Sequence, residues 1–233
     1  MRTSPTEARG PEARSPGVLI TGGSRGLGRA LAIELARRGA RLLLVARDAA
    51  RLAETVAEIR TAGGNAHGFA ADIGDKQSVH AIAAAAATSL GEVDVLVHNA
   101  GTLGPVPLRA LIDTDCEDLE RALAVNVVGP FRLTKLVAGP MLLRRRGVVA
   151  HVTSDAASNA YPDWGAYGAS KATLDHLHRI WAAELGGEGV RFVAFDPGEM
   201  DTAMHRDALP DADPTALRRP ADVAIELADE VLR

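Results

Sequence analysis

The chain has 233 residues, 47% of them hydrophobic, enough to bury one sizeable core in a single domain. Its net charge of −4 offers no basic excess against phosphate, which argues against nucleic acid as the main partner. The single cysteine, Cys116, cannot form an intrachain disulfide, so a reducing, cytoplasmic setting is expected.

Residues 1–16 contain no apolar run and so carry neither a signal-peptide core nor a membrane span. Pro5, Pro11 and Pro16 among scattered charges predict a mobile arm, with 17–233 as the folded domain. The first strand is expected at Gly17–Thr21, followed at once by T-G-G-S-R-G-L-G, Thr21 to Gly28, and a helix over Leu27–Arg38. Glycines in that turn let backbone approach a pyrophosphate, and the helix amino terminus turns free N–H groups toward it. Gly22, Ser24, Arg25, Gly26, Leu27 and Gly28 are therefore candidate cofactor contacts. A glycine turn that binds nothing is the alternative, but the strand before it and the helix after it favour the cofactor.

The second strand, Arg41–Val45, closes on Ala46, Arg47 and Asp48. A carboxylate there favours the ribose hydroxyl of NAD, whereas guanidinium groups match a 2′-phosphate. Asp48 also stands where it can cap the helix Ala49–Thr61. With Asp48 capping, Arg25 and Arg47 point to NADP(H) over NAD(H); with both arginines merely solvated, they do not.

Further strands are expected at Ala66–Ala70, Val93–His98, Gly147–Thr153 and Arg191–Phe195, and helices at Lys76–Leu90, Cys116–Arg145, Ala166–Leu185 and Ala221–Leu232. Strands alternating with helices predict right-handed crossovers in an α/β fold: a three-layer, doubly wound Rossmann sheet, mostly parallel, of at least six strands. Asp196–Pro220 reads as a polar connection holding a substrate loop over about 199–220, and a seventh strand after the last helix is missing. Tyr167 and Lys171 stand four apart in Y-G-A-S-K, on one face of the predicted helix. An ammonium beside a phenol stabilises the phenolate, so Lys171 is expected to lower the pKa of Tyr167.

Together the glycine turn and Y-G-A-S-K resemble the short-chain dehydrogenase/reductase family, from Gly17 to about Thr202. The resemblance implies hydride transfer between a nicotinamide and a carbonyl or alcohol carbon. Asn126, Ser154, Tyr167 and Lys171 then form the catalytic group, with Tyr167 as general acid and base. Cofactor contacts carried over the same way are Asp72 and Ile73 after the third strand, Asn99, Ala100 and Gly101 after the fourth, and Pro197, Gly198 and Thr202 after the sixth; Tyr167 and Lys171 also touch the cofactor. His98 departs from the asparagine usual before N-A-G. Tyr161 lacks a lysine four residues on, Ser158 and Ser170 fall outside the serine position, and His151 reads as a core histidine.

Pro130 removes the N–H that the Asn126 carbonyl would take in a regular helix, so that carbonyl is expected to be exposed for the family's proton relay. Leu103, Trp164, Met200 and Met204 are the substrate-pocket candidates, and no metal site is expected. The family's usual assembly implies a homodimer through 116–145 and 166–185. The expected activity is NADPH-dependent reduction of a ketone or aldehyde. Alcohol oxidation with NAD(P) and a non-catalytic NADP-binding regulator are the alternatives.

Overall fold

A computed structural model describes residues 14–233. Six strands form one parallel sheet: β1 (Gly17–Thr21), β2 (Arg41–Ala46), β3 (Asn65–Ala70), β4 (Val95–His98), β5 (Gly147–Val152) and β6 (Val190–Phe195), in the order β3-β2-β1-β4-β5-β6. This is the doubly wound order, in which the chain reverses direction between β1 and β4 and opens a crevice at their carboxyl ends. The apolar run of β1 is buried at every residue because helices cover both faces of the sheet.

On one face α1 (Gly26–Arg37), α2 (Ala49–Thr61) and α8 (Pro220–Leu232) pack through Leu31, Leu35, Val56 and Leu227 onto Ile20, Leu42 and Val97. On the other, α3 (Lys76–Leu90) and the long α5 (Gly129–Arg144) bury Ile82, Leu90, Leu133 and Met141 against Leu19, Leu43 and Leu96. Helix α6 (Gly165–Leu185) lies beside them against β6. No described helix is long and apolar enough to cross a membrane.

Three regions differ from the sequence expectation. The arm expected over 1–16 lies outside the described residues except for its last three, and these are tied down. Arg14 Nη2 bonds Glu92 at 2.6 Å and Asp94 at 2.9 Å, and Arg41 N–H donates to the Pro16 carbonyl at 2.9 Å. Second, the helix expected over 116–145 is interrupted. It runs as α4 (Cys116–Leu123), a π-helical turn at Ala124–Val128, then α5, with Gly129 N–H reaching back to the Ala124 carbonyl. Pro130 follows, and a chain without an N–H at that position cannot keep the regular ladder. Third, the connection after β6 holds a helix, α7 (Ala203–Ala208), capped by Thr202 Oγ1 accepting the His205 N–H at 3.2 Å. Six residues are too few to show a clear apolar period, so the helix was not visible in the sequence.

Beyond β6 no further strand pairs among the described residues. Arg191 instead grips the end of α8, donating to the Glu230 carbonyl at 2.7 Å and its carboxylate at 3.2 Å. Charge along an unpaired strand is one way an edge is kept from pairing with another chain.

Candidate active site

The crevice at the carboxyl ends of β1 and β4 is a cleft of ≈ 1430 Å³. At its floor the turn after β1 is built around close approach. Gly22 has φ +73, and a Cβ on it would sit 2.7 Å from Asn99 Nδ2; one on Gly28 would sit 2.3 Å from the same atom. Asn99 fills this space as a latch. Its Nδ2 donates to the carbonyls of Thr21 at 3.0 Å and Gly22 at 3.1 Å, while the N–H groups of Asn99 and Ala100 both reach Thr21 Oγ1 at 3.2 Å. No side chain caps the start of α1, so its first N–H groups face the cleft as an anion site. These residues fit a dinucleotide pyrophosphate.

Arg25 and Arg47 are exposed at the rim of the same cleft. Asp48 caps α2, with Oδ1 accepting the Arg51 N–H at 3.0 Å and Oδ2 lying 3.3 Å from Arg51 Nε. Asp72 is occupied too: Oδ1 accepts the Gly74 N–H at 2.8 Å and Oδ2 is paired with Arg121. Leu27 and Ile73 border the cleft but are only 4% and 5% exposed, their side chains packed in the two cores. Only their main chains are left to meet a cofactor. Ser24, Gly26, Gly101, Pro197, Gly198 and Thr202 complete this wall.

Deeper in, Ser154, Tyr167 and Lys171 line the cleft together. Lys171 Nζ donates to the Val152 carbonyl at 2.6 Å and stands 5.5 Å from the centre of the Tyr167 ring. Asn126 sits behind, 1% exposed. Its side chain clamps the loop after β4, accepting the Thr102 N–H at 2.9 Å and donating to the Thr102 carbonyl at 2.8 Å. It also donates to Ser170 Oγ at 2.8 Å, and Ser170 donates to the Tyr167 carbonyl at 2.7 Å. Ser170, outside the reactive serine position, thus joins Asn126 to the helix turn that carries the phenol. Around Tyr167, Leu103 and Ala156 are buried, with Trp164 and Met204 packed against them and the Trp164 ring 5.8 Å away. Met200 borders the cleft and packs on the α1–α8 core.

The short chain dehydrogenase family model matches residues 17–213. A short chain dehydrogenase of Pseudocercospora fijiensis is 38% identical over 207 residues, which cover 87% of this chain and 64% of that relative. The chain belongs to the short-chain dehydrogenase family. Among solved structures, a metagenomic short-chain oxidoreductase in complex with NADP has a TM-score of 0.81 at 32% identity, over 94% of this chain and 91% of the other. A 7α-hydroxysteroid dehydrogenase complexed with NADH and 7-oxo glycochenodeoxycholic acid has a TM-score of 0.85 at 32% identity, over 93% and 87%. The family makes this chain an oxidoreductase with a nicotinamide cofactor; the choice between NADP and NAD rests on its own residues.

In this dehydrogenase the electrostatics of Tyr167 run against the sequence expectation. Burial pushes the phenol up to about 12; the Ser154 hydroxyl offsets part of this, while Asp196 and Asp155 add to it. Burial is the largest influence on the phenol, and the Lys171 ammonium, hydrogen-bonded to the Val152 carbonyl, does not reverse it. Burial also pushes Lys171 down to about 8, with Asp175 and Asp196 holding it up in part.

Sequence reasoning did not find what stands behind Lys171. His151 Nε2 meets Asp175 Oδ1 at 2.7 Å, and His151 Nδ1 meets His178 Nδ1 at 2.7 Å. A carboxylate only accepts, so Nε2 of His151 carries its proton and His178 donates to the bare Nδ1. His178 Nε2 then has no proton to place, which fits its lack of a partner among the described residues. His98, paired across the sheet with His151, bonds Thr134 Oγ1 at 2.8 Å. The three histidines sit too far apart along the chain to form a motif; only the pairing of β4, β5 and α6 collects them.

Burial holds His98 at about 3 and His178 at about 4, and lowers His151 against the pull of Asp175. His98 and His178 are therefore neutral in the fold near neutral pH and take up protons on unfolding. The unfolded chain binds more protons below its ordinary histidine pKa of about 6.5, so stability is complete above that pH and is lost as pH falls toward about 4. Urea unfolding at about pH 5 should give a stability about 2–4 kcal/mol below that at about pH 7.5. Equal values at the two pH values would contradict neutral burial.

Proposed function

We propose that this dehydrogenase reduces a ketone or aldehyde to an alcohol with NADPH. The observation that carries the reading is that Tyr167, Ser154 and Lys171 share one cleft with the glycine turn. Bound there, the nicotinamide supplies the hydride. Ser154 holds the carbonyl oxygen, and Tyr167 delivers a proton to that oxygen as negative charge builds on it. A phenol protonated at neutral pH is in the form that can donate to the carbonyl oxygen. Lys171 adds a positive charge beside the developing alkoxide and holds the nicotinamide ribose. Asn126 fixes the loop and helix that flank the reacting oxygen, and its carbonyl, with Pro130 four residues on, serves the relay that restores the Tyr167 proton.

Arg25 and Arg47 support NADPH, since Asp48 is committed to α2 and guanidinium forks match a phosphate. The family's NADH-bound member speaks for the other choice, so cofactor preference is the measurement that decides. NADPH oxidation against a panel of carbonyl compounds, repeated with NADH, should favour NADPH. Arg25→Ala/Arg47→Ala should raise the KM for NADPH by about 10–100-fold and leave that for NADH within about threefold. NADH preferred by the unaltered chain would overturn the assignment.

The reading extends to a homodimer in the reducing cytoplasm, through α4–α5 and α6. Phe131 stacks 5.6 Å from Trp181 across these helices, and Phe131, Ile180 and Leu143 remain exposed on their outer faces. A monomeric mass by light scattering at assay concentration would remove this part.

A further inference from the structure

At the substrate end of the cleft, Asp155 follows Ser154 directly and both line the cavity. Ser154 Oγ accepts the Ala156 N–H at 3.2 Å and donates to Asp155 Oδ1 at 3.1 Å. The other carboxylate oxygen accepts the Tyr161 hydroxyl at 2.7 Å. One carboxylate thus joins the serine that faces the reacting oxygen to a phenol on the cavity wall.

Apart from the Lys171 ammonium, which serves the reacting oxygen, the charge beside it is negative. Glu199 also lines this end, while Arg206, the nearby cation, is paired with Asp201. Leu103, Trp164 and Met204 supply the apolar remainder. An ionised carboxylate can only accept, and two accepted bonds leave it capacity for more. A substrate group beside the carbonyl must therefore bring its own hydrogen, and an anionic group there would meet like charge. Oxygens on adjacent carbons lie about 3 Å apart, one hydrogen-bond length. That span matches Ser154 Oγ to Asp155 Oδ1, at 3.1 Å.

We propose that this site selects a neutral carbonyl compound bearing a hydroxyl on the carbon next to the carbonyl, with the Ser154 hydroxyl turned from Asp155 to donate to the carbonyl oxygen and Asp155 Oδ1, freed of it, accepting from the substrate hydroxyl. The inference rests on the carbonyl-reductase reading. Hydride from the reduced nicotinamide adds to the carbonyl carbon, and the Tyr167 proton goes to its oxygen. The neighbouring hydroxyl keeps its hydrogen and the product is a vicinal diol. Asp155 is the specificity-determining residue, and Tyr161 fixes its rotamer.

The test compares kcat/KM for hydroxyacetone, acetone, aminoacetone and pyruvate in the unaltered chain, Asp155→Ala and Asp155→Asn. Hydroxyacetone should exceed acetone and pyruvate by about 10–100-fold in the unaltered chain. In both variants the hydroxyacetone-to-acetone ratio should fall to within about threefold of one. A ratio near one in the unaltered chain, or one that survives both substitutions, overturns the inference. Pyruvate turned over as well as hydroxyacetone does the same, and aminoacetone as the best substrate replaces the hydroxyl by an ammonium and so overturns it too. If none of the four compounds is turned over with either cofactor, it is the carbonyl-reductase reading that fails. Saturation-transfer NMR of hydroxyacetone on the same proteins then decides the inference. Binding lost with Asp155→Ala supports it, and no binding to the unaltered chain, or binding unchanged in the variant, overturns it.

Discussion

Replacing Tyr167 by Phe should lower kcat by about 10²–10⁴-fold while NADPH still binds with a dissociation constant within about threefold. The substitution removes one hydroxyl and keeps the ring. Tyr167 is 8% exposed, packed on Leu103 and Ala156 with Trp164 against its edge, and Phe preserves all of that contact. The loss therefore reports the missing proton donor rather than a collapsed pocket. Carbonyl reduction followed at saturating NADPH gives the rate, and a fluorescence titration with NADPH gives the binding. Activity retained within about threefold would sink the assignment of Tyr167 as the acid, whatever the state of the rest of the site.

Lys171→Met should separate stability from activity. The ammonium is buried at 5% exposure and burial lowers its pKa to about 8, so the fold holds a charge it resists. Between about pH 8 and its ordinary value near 10.5 the unfolded chain binds the extra proton, so this group makes the fold more stable as pH rises through that window. At neutral pH the same group costs the fold up to about 3 kcal/mol. Met fills similar volume without charge, although the Val152 carbonyl loses its donor, a penalty of about 1–3 kcal/mol. The two nearly cancel, and thermal unfolding should shift by no more than a few degrees. Turnover should nevertheless fall by about 10²-fold or more, with weaker NADPH binding, because the positive charge beside the reacting oxygen is gone. A variant that unfolds far below the unaltered chain would make Lys171 a structural residue first. A stable, fully active one would remove it from the chemistry.

Much of this molecule was legible in the order of its residues because the signals are local. Strands such as G-V-L-I-T are continuous apolar runs, and the strand–helix alternation implies a parallel sheet wherever it occurs. The glycine turn is legible because close approach of Gly28 to Gly22 and Asn99 admits no Cβ. Tyr167 and Lys171 are legible because helical periodicity sets their shared face. The direction in which Lys171 points was not. Spacing alone placed an ammonium beside a phenol and implied a lowered phenol pKa, whereas the fold gives the ammonium the Val152 carbonyl and leaves burial to raise Tyr167.

What the sequence by itself determined is the framework: the strand rhythm, the glycine turn, the capping acid Asp48 and the residues brought to the cleft, all set by interactions within a few positions of the chain. Only the tertiary structure decided how those residues are connected. Pro130 accounts for the π-helical turn, but the partners to which the turn presents Asn126, Thr102 and Ser170, lie 24 and 44 residues away. The histidine cluster behind Lys171 joins positions on different strands and a helix, and the Asp155 carboxylate reaches Tyr161 across a loop. Hydrogen-bond direction and burial depend on atoms that share a volume rather than a segment, and a linear pattern carries no record of that volume until the sheet has assembled it.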